Sequence, residues 1–169
     1  MTATPTFPTW ITREVLSTSK LNQIASTGEF AKNQPAAIAT RPSGAVLSIP
    51  NNTFTAVTMT VENFDNMAGF AATSSTITTT YDGVWIASGG GSFAVSATGV
   101  RLASVRKNGA DQEGGMVEWP APNGSGLILA AVVATASVGD TFALWVLQNS
   151  GGALNIDQAR IAAARVSGT

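Results

Sequence analysis

The chain has 169 residues, with nine Lys and Arg against ten Asp and Glu, a formal net charge of −1, only 11% charged residues, and neither cysteine nor histidine. Disulfide scaffolds, Cys/His zinc sites, cysteine nucleophiles and histidine-based triads are therefore excluded. Nine scattered cations and a pI near 5.2 also exclude the basic stripe that phosphate neutralisation needs, so no nucleic-acid partner is expected. At 17.2 kDa area scaling gives about 7,800 Å² of folded surface against about 25,000 Å² unfolded, enough burial for one full core. A mean hydropathy of +0.20 with 44% hydrophobic residues exceeds what a soluble monomer surface calls for. The longest apolar stretch, Leu127 to Ala136, is far short of the ~20 residues of a spanning helix, so membrane insertion is not expected. Met1 to Trp10 lacks the charged and apolar regions of a signal peptide. An oligomer that buries the apolar excess against copies of itself is the expectation.

In chain order, Met1 to Trp10 places Pro5 and Pro8 three residues apart with Phe7 and Trp10 among them, which predicts an extended arm. Val15, Leu16, Leu21, Ile24 and Ala25 recur at three- and four-residue steps and predict a helix within 12–33, with Thr18 or Ser19 as N-cap and Gly28 as its stop. A Pro/Ala/Thr-rich run from Gln34 to Gly44 reads as a connector. From Ala45 the pattern changes to strands separated by turns. They are expected at Ala45–Ile49, Thr53–Val61, Thr76–Thr80, Gly83–Ala97, Val100–Lys107, Met116–Trp119, Gly126–Thr135, Asp140–Gln148 and Asn155–Val166, which predicts an all-β sandwich. Asn108-Gly109 is a hairpin signal. Gly89-Gly90-Gly91 reads as a bulge or a close approach of two backbones. The alanine-rich end, Ala159 to Val166, favours helix by propensity but strand by alternation.

No catalytic constellation emerges. A general base would have to be a carboxylate or one of Lys20, Lys32 and Lys107, and the closest acidic pairs, Asp111 with Glu113, Glu113 with Glu118 and Glu62 with Asp65, read as solvated loop charges. No D-x-[DN]-x-[DN]-G loop is present, and the glycine triplet lacks the Lys-[Ser/Thr] of a phosphate loop. No catalytic residue, metal ligand or cofactor is expected. Trp85 and Trp145 read as core. Trp119, beside Pro120 and near Asn123, reads as partly exposed, and Trp119 with Asn123 forms the candidate contact for a glycan. Arg101, Arg106, Arg160 and Arg165 are expected mostly in solvent.

Four segments in order resemble the C1q/TNF-like jelly-roll superfamily: Tyr81 to Ala87 (YDGVWIA), Val100 to Gly109 (VRLASVRKNG), Val138 to Phe142 (VGDTF) and Trp145 to Gly151 (WVLQNSG). The segment Trp10 to Asn22 (WITREVLSTSKLN), followed by Phe30 and Pro35, resembles the head of small tail and fibre proteins of phages that infect actinobacteria. It departs from that pattern at Thr12-Arg13, where a glycine is common. Together these resemblances imply an all-β, C1q/TNF-like jelly-roll sandwich preceded by an extended arm and one short helix. Residues 1–44 would form the arm, helix and connector, and residues 45–169 the jelly roll. They imply a homotrimeric, non-enzymatic virion protein, assembled in the host cytoplasm as a minor tail or fibre component. Capsid decoration or head fibre is the alternative, and a lectin-like glycan-binding module a further one. Phe7, Trp10, Leu16, Leu21, Ile24 and Phe30 would anchor the arm to other virion proteins.

Overall fold

A computed structural model describes residues 5–9, 17–121 and 126–168. Two antiparallel sheets pack face to face. The first is built around the order β4 (Val61–Asp65), β1 (Ala36–Arg41), β11 (Leu154–Ser167), β6 (Gly83–Phe93) and β9 (Gly126–Ala136), with β2 (Leu47–Ile49) also on β11. The second has the order β3 (Thr55–Ala56), β10 (Thr141–Gln148), β7 (Val100–Lys107) and β8 (Ala110–Pro120), with β5 (Thr76–Thr78) also on β10. One helix, α1 (Thr18–Lys32), precedes them. The core between the sheets holds Trp85, Phe93, Phe142, Leu144, Ile49, Ile77, Ile156 and Ile161. The Trp85 and Phe142 rings sit 6.5 Å apart at 42°, in the range of favourable tilted aromatic pairs.

The expected all-β jelly roll is what forms, and the strand reading of the alanine-rich end holds, since Ala159 to Ala164 pair with β1 and β6 on either side. Several boundaries differ. The supposed connector contains β1, whose Ala37 and Ala39 are fully buried and face Ala163 and Ile161. Pro35 and Pro42 bracket this short run, but alternating small residues fit the tight inner face beside β11, so the sheet begins at Ala36 and not at Ala45. The stretch expected as one strand from Thr53 to Val61 crosses between sheets: β3 pairs with β10, Val57 and Met59 cross the core, and β4 joins β1. Strand β8 is longer than expected because the Asn108-Gly109 hairpin, with φ of 52° and 77°, carries β7 straight into it. The helix is capped one residue earlier than expected, by Ser17 Oγ accepting from Lys20 N at 3.3 Å, and it runs through Gly28 to an Asn33 cap. Residues 12–16 of that expected helix lie outside the described residues.

Gly89-Gly90-Gly91 is not a bulge, for its register with both β11 and β9 is continuous. It is the close approach, because a β-carbon at Gly90 would collide with the Ile128 carbonyl oxygen of β9. Gly152 has open space around it. Gly90→Ala should therefore cost about 1–3 kcal/mol, the usual penalty of overpacking, while Gly152→Ala should stay within about 0.5 kcal/mol of wild type. Urea unfolding of the two variants checks this, and equal midpoints would contradict it.

Candidate functional site: an apolar sheet face and a projecting arm

Strand register maps the outward face of the first sheet residue by residue. Three rows cross it: Thr40, Arg160, Gly90 and Leu129; Ile38, Ala162, Ser88 and Ala131; Ala36, Ala164, Ile86 and Val133. Val61 and Phe64 of β4 extend the first two rows. Leu127 (72% exposed), Leu129 (63%) and Val133 (66%) stand up from β9, and Ile86, Phe64 and Val61 are exposed beside them. Because β9 buries Ile128, Ala130 and Val132 on its other side, this strand is apolar on both faces. That pattern belongs to a strand covered twice. Shallow grooves of about 300 and 420 Å³ flank Arg160 where the glycine triplet leaves the face low. In these three rows Arg160 is the single charged residue.

The other described arginines are spoken for, which corrects the expectation of solvent exposure. Arg101 is 2% exposed and donates to the carbonyls of Ser96, Thr98 and Val100 at 3.0–3.1 Å; burial lowers its pKa. Arg165 is 4% exposed, with Nε on the Asp82 carbonyl at 2.8 Å and Nη1 on Gln34 Oε1 at 3.1 Å. Arg41 caps the carbonyls of Ala45, Val46 and Thr58. Arg106 lies between the rings of Phe54 (4.3 Å) and Trp145 (4.7 Å) and makes a fork to Asp111 at 2.7 and 3.0 Å. Trp145, expected in the core, is half-buried on the outer side of the second sheet beneath that guanidinium, whereas Trp85 is fully buried as expected.

The segments that carry the C1q/TNF resemblance form polar latches at the turns. Asp140 accepts from Ser137 N at 2.9 Å, Asn108 Nδ2 at 2.8 Å and Lys107 Nζ at 3.4 Å, and Asn108 Oδ1 accepts from Thr141 N at 2.8 Å. The Gly-Asp turn and the Asn-Gly turn thus hold each other. Gln148, fully buried, donates to the Ile49 and Gly152 carbonyls and accepts from Ser150 N and Oγ. No group of three or more potential metal ligands occurs among the described residues, and no described helix is long and apolar enough to cross a membrane.

Of the expected anchor residues, Phe7 is 69% exposed and Leu21 48% exposed, while Ile24 and Phe30 are half-buried. Trp10 and Leu16 lie outside the described residues, as does Asn123 of the expected glycan contact. Trp119 is 56% exposed on the edge strand β8. Residues 5–9 run back along α1, with Thr27 Oγ1 donating to the Thr6 carbonyl at 3.1 Å and Lys20 Nζ to the Thr9 carbonyl at 2.6 Å. Thr27 is the one buried residue of α1. The helix meets the sandwich through its last turn, where the Phe30 ring lies 5.1 Å from that of Tyr81 at a 55° tilt and 5.2 Å from the Arg165 guanidinium. The sequence signal for α1 was its spacing. The signal for the apolar face was the continuous run LILAAVVA, which says that a strand is doubly covered without saying by what.

The solved structures this fold resembles include the globular domain of zebrafish complement 1qA (TM-score 0.60, 14% identity, 80% of this chain and all of that one). They also include the vertex protein P5 of PRD1 (0.55, 19%, 79% and 98%) and murine APRIL (0.53, 11%, 78% and 99%). The fold is that of the C1q/TNF-like jelly-roll domains. No family model and no curated protein sequence matches the chain.

Two tests follow from these contacts. Arg165→Ala removes the cation over the Phe30 ring of α1 together with the hydrogen bonds to Asp82 and to Gln34, just beyond the helix, at a cost of about 1.5–3 kcal/mol for charged hydrogen bonds; amide exchange should speed up in Thr18–Lys32 while β6 and β9 stay protected. Unchanged helix protection would refute the tie. Hydrogen bonds from Asn108 and Ser137 hold the Asp140 carboxyl below its ordinary 3.8, and those from Arg106 and Ser104 do the same for Asp111. A depressed folded pKa contributes stability that is complete above the ordinary carboxylate range and lost as pH falls through the folded value. Thermal melts should therefore weaken from about pH 4 downward, and Asp140→Asn should flatten that slope.

Proposed function

We propose that the chain is the structural subunit of a virus particle, a homotrimer whose jelly rolls associate through the outward face of the first sheet and whose N-terminal arm and helix attach it to other virion proteins. The observation that carries the trimer is the apolar face itself. Leu127, Leu129, Val133, Ile86 and Phe64 form a contiguous exposed patch of a kind that soluble monomers avoid and interfaces use. The attachment rests on α1. A 15-residue helix with one buried residue is marginal by itself in water, and with Phe7 and Leu21 exposed it offers an apolar surface to something outside the sandwich. The likeness to a phage vertex protein supports a virion role for this fold, and the resemblance of Trp10 to Asn22 to tail-protein heads supports a tail or fibre position. Capsid decoration needs the same trimer and the same arm.

Leu129→Glu should convert the trimer to a folded monomer in light scattering at micromolar concentration. Phe7→Ser with Leu21→Ser should leave the trimer intact but remove it from particles, and cryo-electron microscopy of particles carrying the wild-type chain should show threefold density on the tail or on the capsid. A wild-type monomer, or normal incorporation of the arm variant, would overturn the corresponding half of the proposal.

A further inference from the structure

The outward face of the first sheet is interrupted by a notch. Gly90 stands where an outward side chain would rise between Arg160 of β11 and Leu129 of β9, and the next row runs from Gln158 through Ser92 to Leu127. The grooves of about 300 and 420 Å³ that flank Arg160 both open over this glycine, and their volumes are those of small-ligand sites. Gln158 lines the first and Ser88 the second, with Leu127 a wall of both.

The polar side chains of the notch are donors without partners. Among the described residues Arg160, Gln158 and Ser88 make no side-chain hydrogen bond, ion pair or ring contact. Arg41 and Thr40, at the rim of the first groove, are already committed, the one to the carbonyls of Ala45, Val46 and Thr58 and the other to Asn63. No carboxylate lines either groove, so the charges of Arg41 and Arg160 have no acidic counterpart there. A guanidinium, an amide and a hydroxyl lining one acid-free recess are the donor set of an oxyanion site, because a guanidinium fork grips a carboxylate or phosphate with two parallel N–H···O bonds. A metal ion would meet only positive charge in it. A wholly apolar ligand would cover the guanidinium and supply no acceptor.

We propose that this notch binds an oxyanion, held by the Arg160 fork and by hydrogen bonds from Gln158 and Ser88, in the space that Gly90 leaves free. A side chain at Gly90, besides colliding with the Ile128 carbonyl oxygen, would fill the floor of the site. The acidic group can be a free ion or the phosphate of a sugar. The site does not depend on the trimeric reading, but under that reading it gains a second role. Covering the face would bury Arg160 as an unpaired charge, which is strongly unfavourable. A bound oxyanion supplies the counter-charge, so that binding and association favour each other.

Isothermal titration calorimetry of the full chain, in chloride buffer of matched ionic strength, should show saturable binding of inorganic phosphate or of glucose 6-phosphate. Tighter binding of the ester assigns the site to a phosphorylated sugar, and tighter binding of phosphate assigns it to the free ion. Arg160→Met should abolish binding, and Arg160→Lys should weaken it because the fork is lost. Ser88→Ala and Gln158→Ala should each weaken it roughly threefold to tenfold, the worth of one hydrogen bond. Circular dichroism verifies that each variant folds. In sedimentation equilibrium, phosphate should tighten association of the wild-type chain and leave that of Arg160→Met unchanged. Absence of saturable binding, or binding that survives Arg160→Met, overturns the site. If phosphate binds through Arg160 and association ignores it, the counter-charge role falls and the site stands. A wild-type chain that is monomeric yet binds phosphate through Arg160 overturns the trimeric reading alone.

Discussion

The six-stranded sheet is apolar on both of its faces, and most of the molecule follows from that constraint. Its inner face is covered by the second sheet, where Trp85, Ile128, Val132 and Ile161 meet Phe142, Leu144 and Val146. Its outer face carries Leu127, Leu129, Val133, Ile86 and Phe64 into solvent. At about 25 cal/mol per Å² of apolar area, a surface of this kind contributes several kcal/mol once covered.

Strand β11 lies at the centre of that sheet, joined to β1, β2 and β6, although it is the last element of the chain. The first sheet cannot close until its final residues are in place, so the contacts that define it are long-range. Folding is then expected to be slow for the size of the domain. Polar side chains hold the turns meanwhile. Gln148 satisfies four groups around the Ser150-Gly151-Gly152 turn and β2, and Asn108 and Asp140 lock two hairpins together. The segments resembling C1q/TNF domains coincide with these latches, so the likeness is carried by what keeps loops in register.

The sandwich and most of its strands were legible because alternation and turn chemistry are local: Asn108-Gly109 and Gly139-Asp140 are both turns in the structure. Strand β1 was not, since the run Ala36 to Arg41 between two prolines, four of its six residues Ala or Thr, shows no clear polar–apolar alternation, and only pairing with β11 makes Ala37 and Ala39 inner-face residues. The division of Thr53 to Asp65 between two sheets was hidden for a related reason, as the same alternation fits either sheet. The arginines misled in a more instructive way. Arg101 and Arg165 occupy inward positions near the ends of the sandwich, where the inside opens onto loop carbonyls instead of onto the core. Arg41 is held by loop carbonyls in the same manner. A chain with ten acids uses main-chain oxygens as counter-partners, and no sequence rule marks where a strand's inner face meets a loop. The doubly apolar β9 was visible as the run LILAAVVA, but a run of that kind does not say what covers its outer side.

The absence of histidine also limits how the fold responds to pH. With neither histidine nor cysteine, no side chain of ordinary pKa changes charge between about pH 5 and 8, and no thiol responds to redox conditions. The carboxylates held low by hydrogen bonds, Asp111 and Asp140, are ionised throughout that range. The turn latches they form with Arg106 and Asn108 therefore hold unchanged across that range.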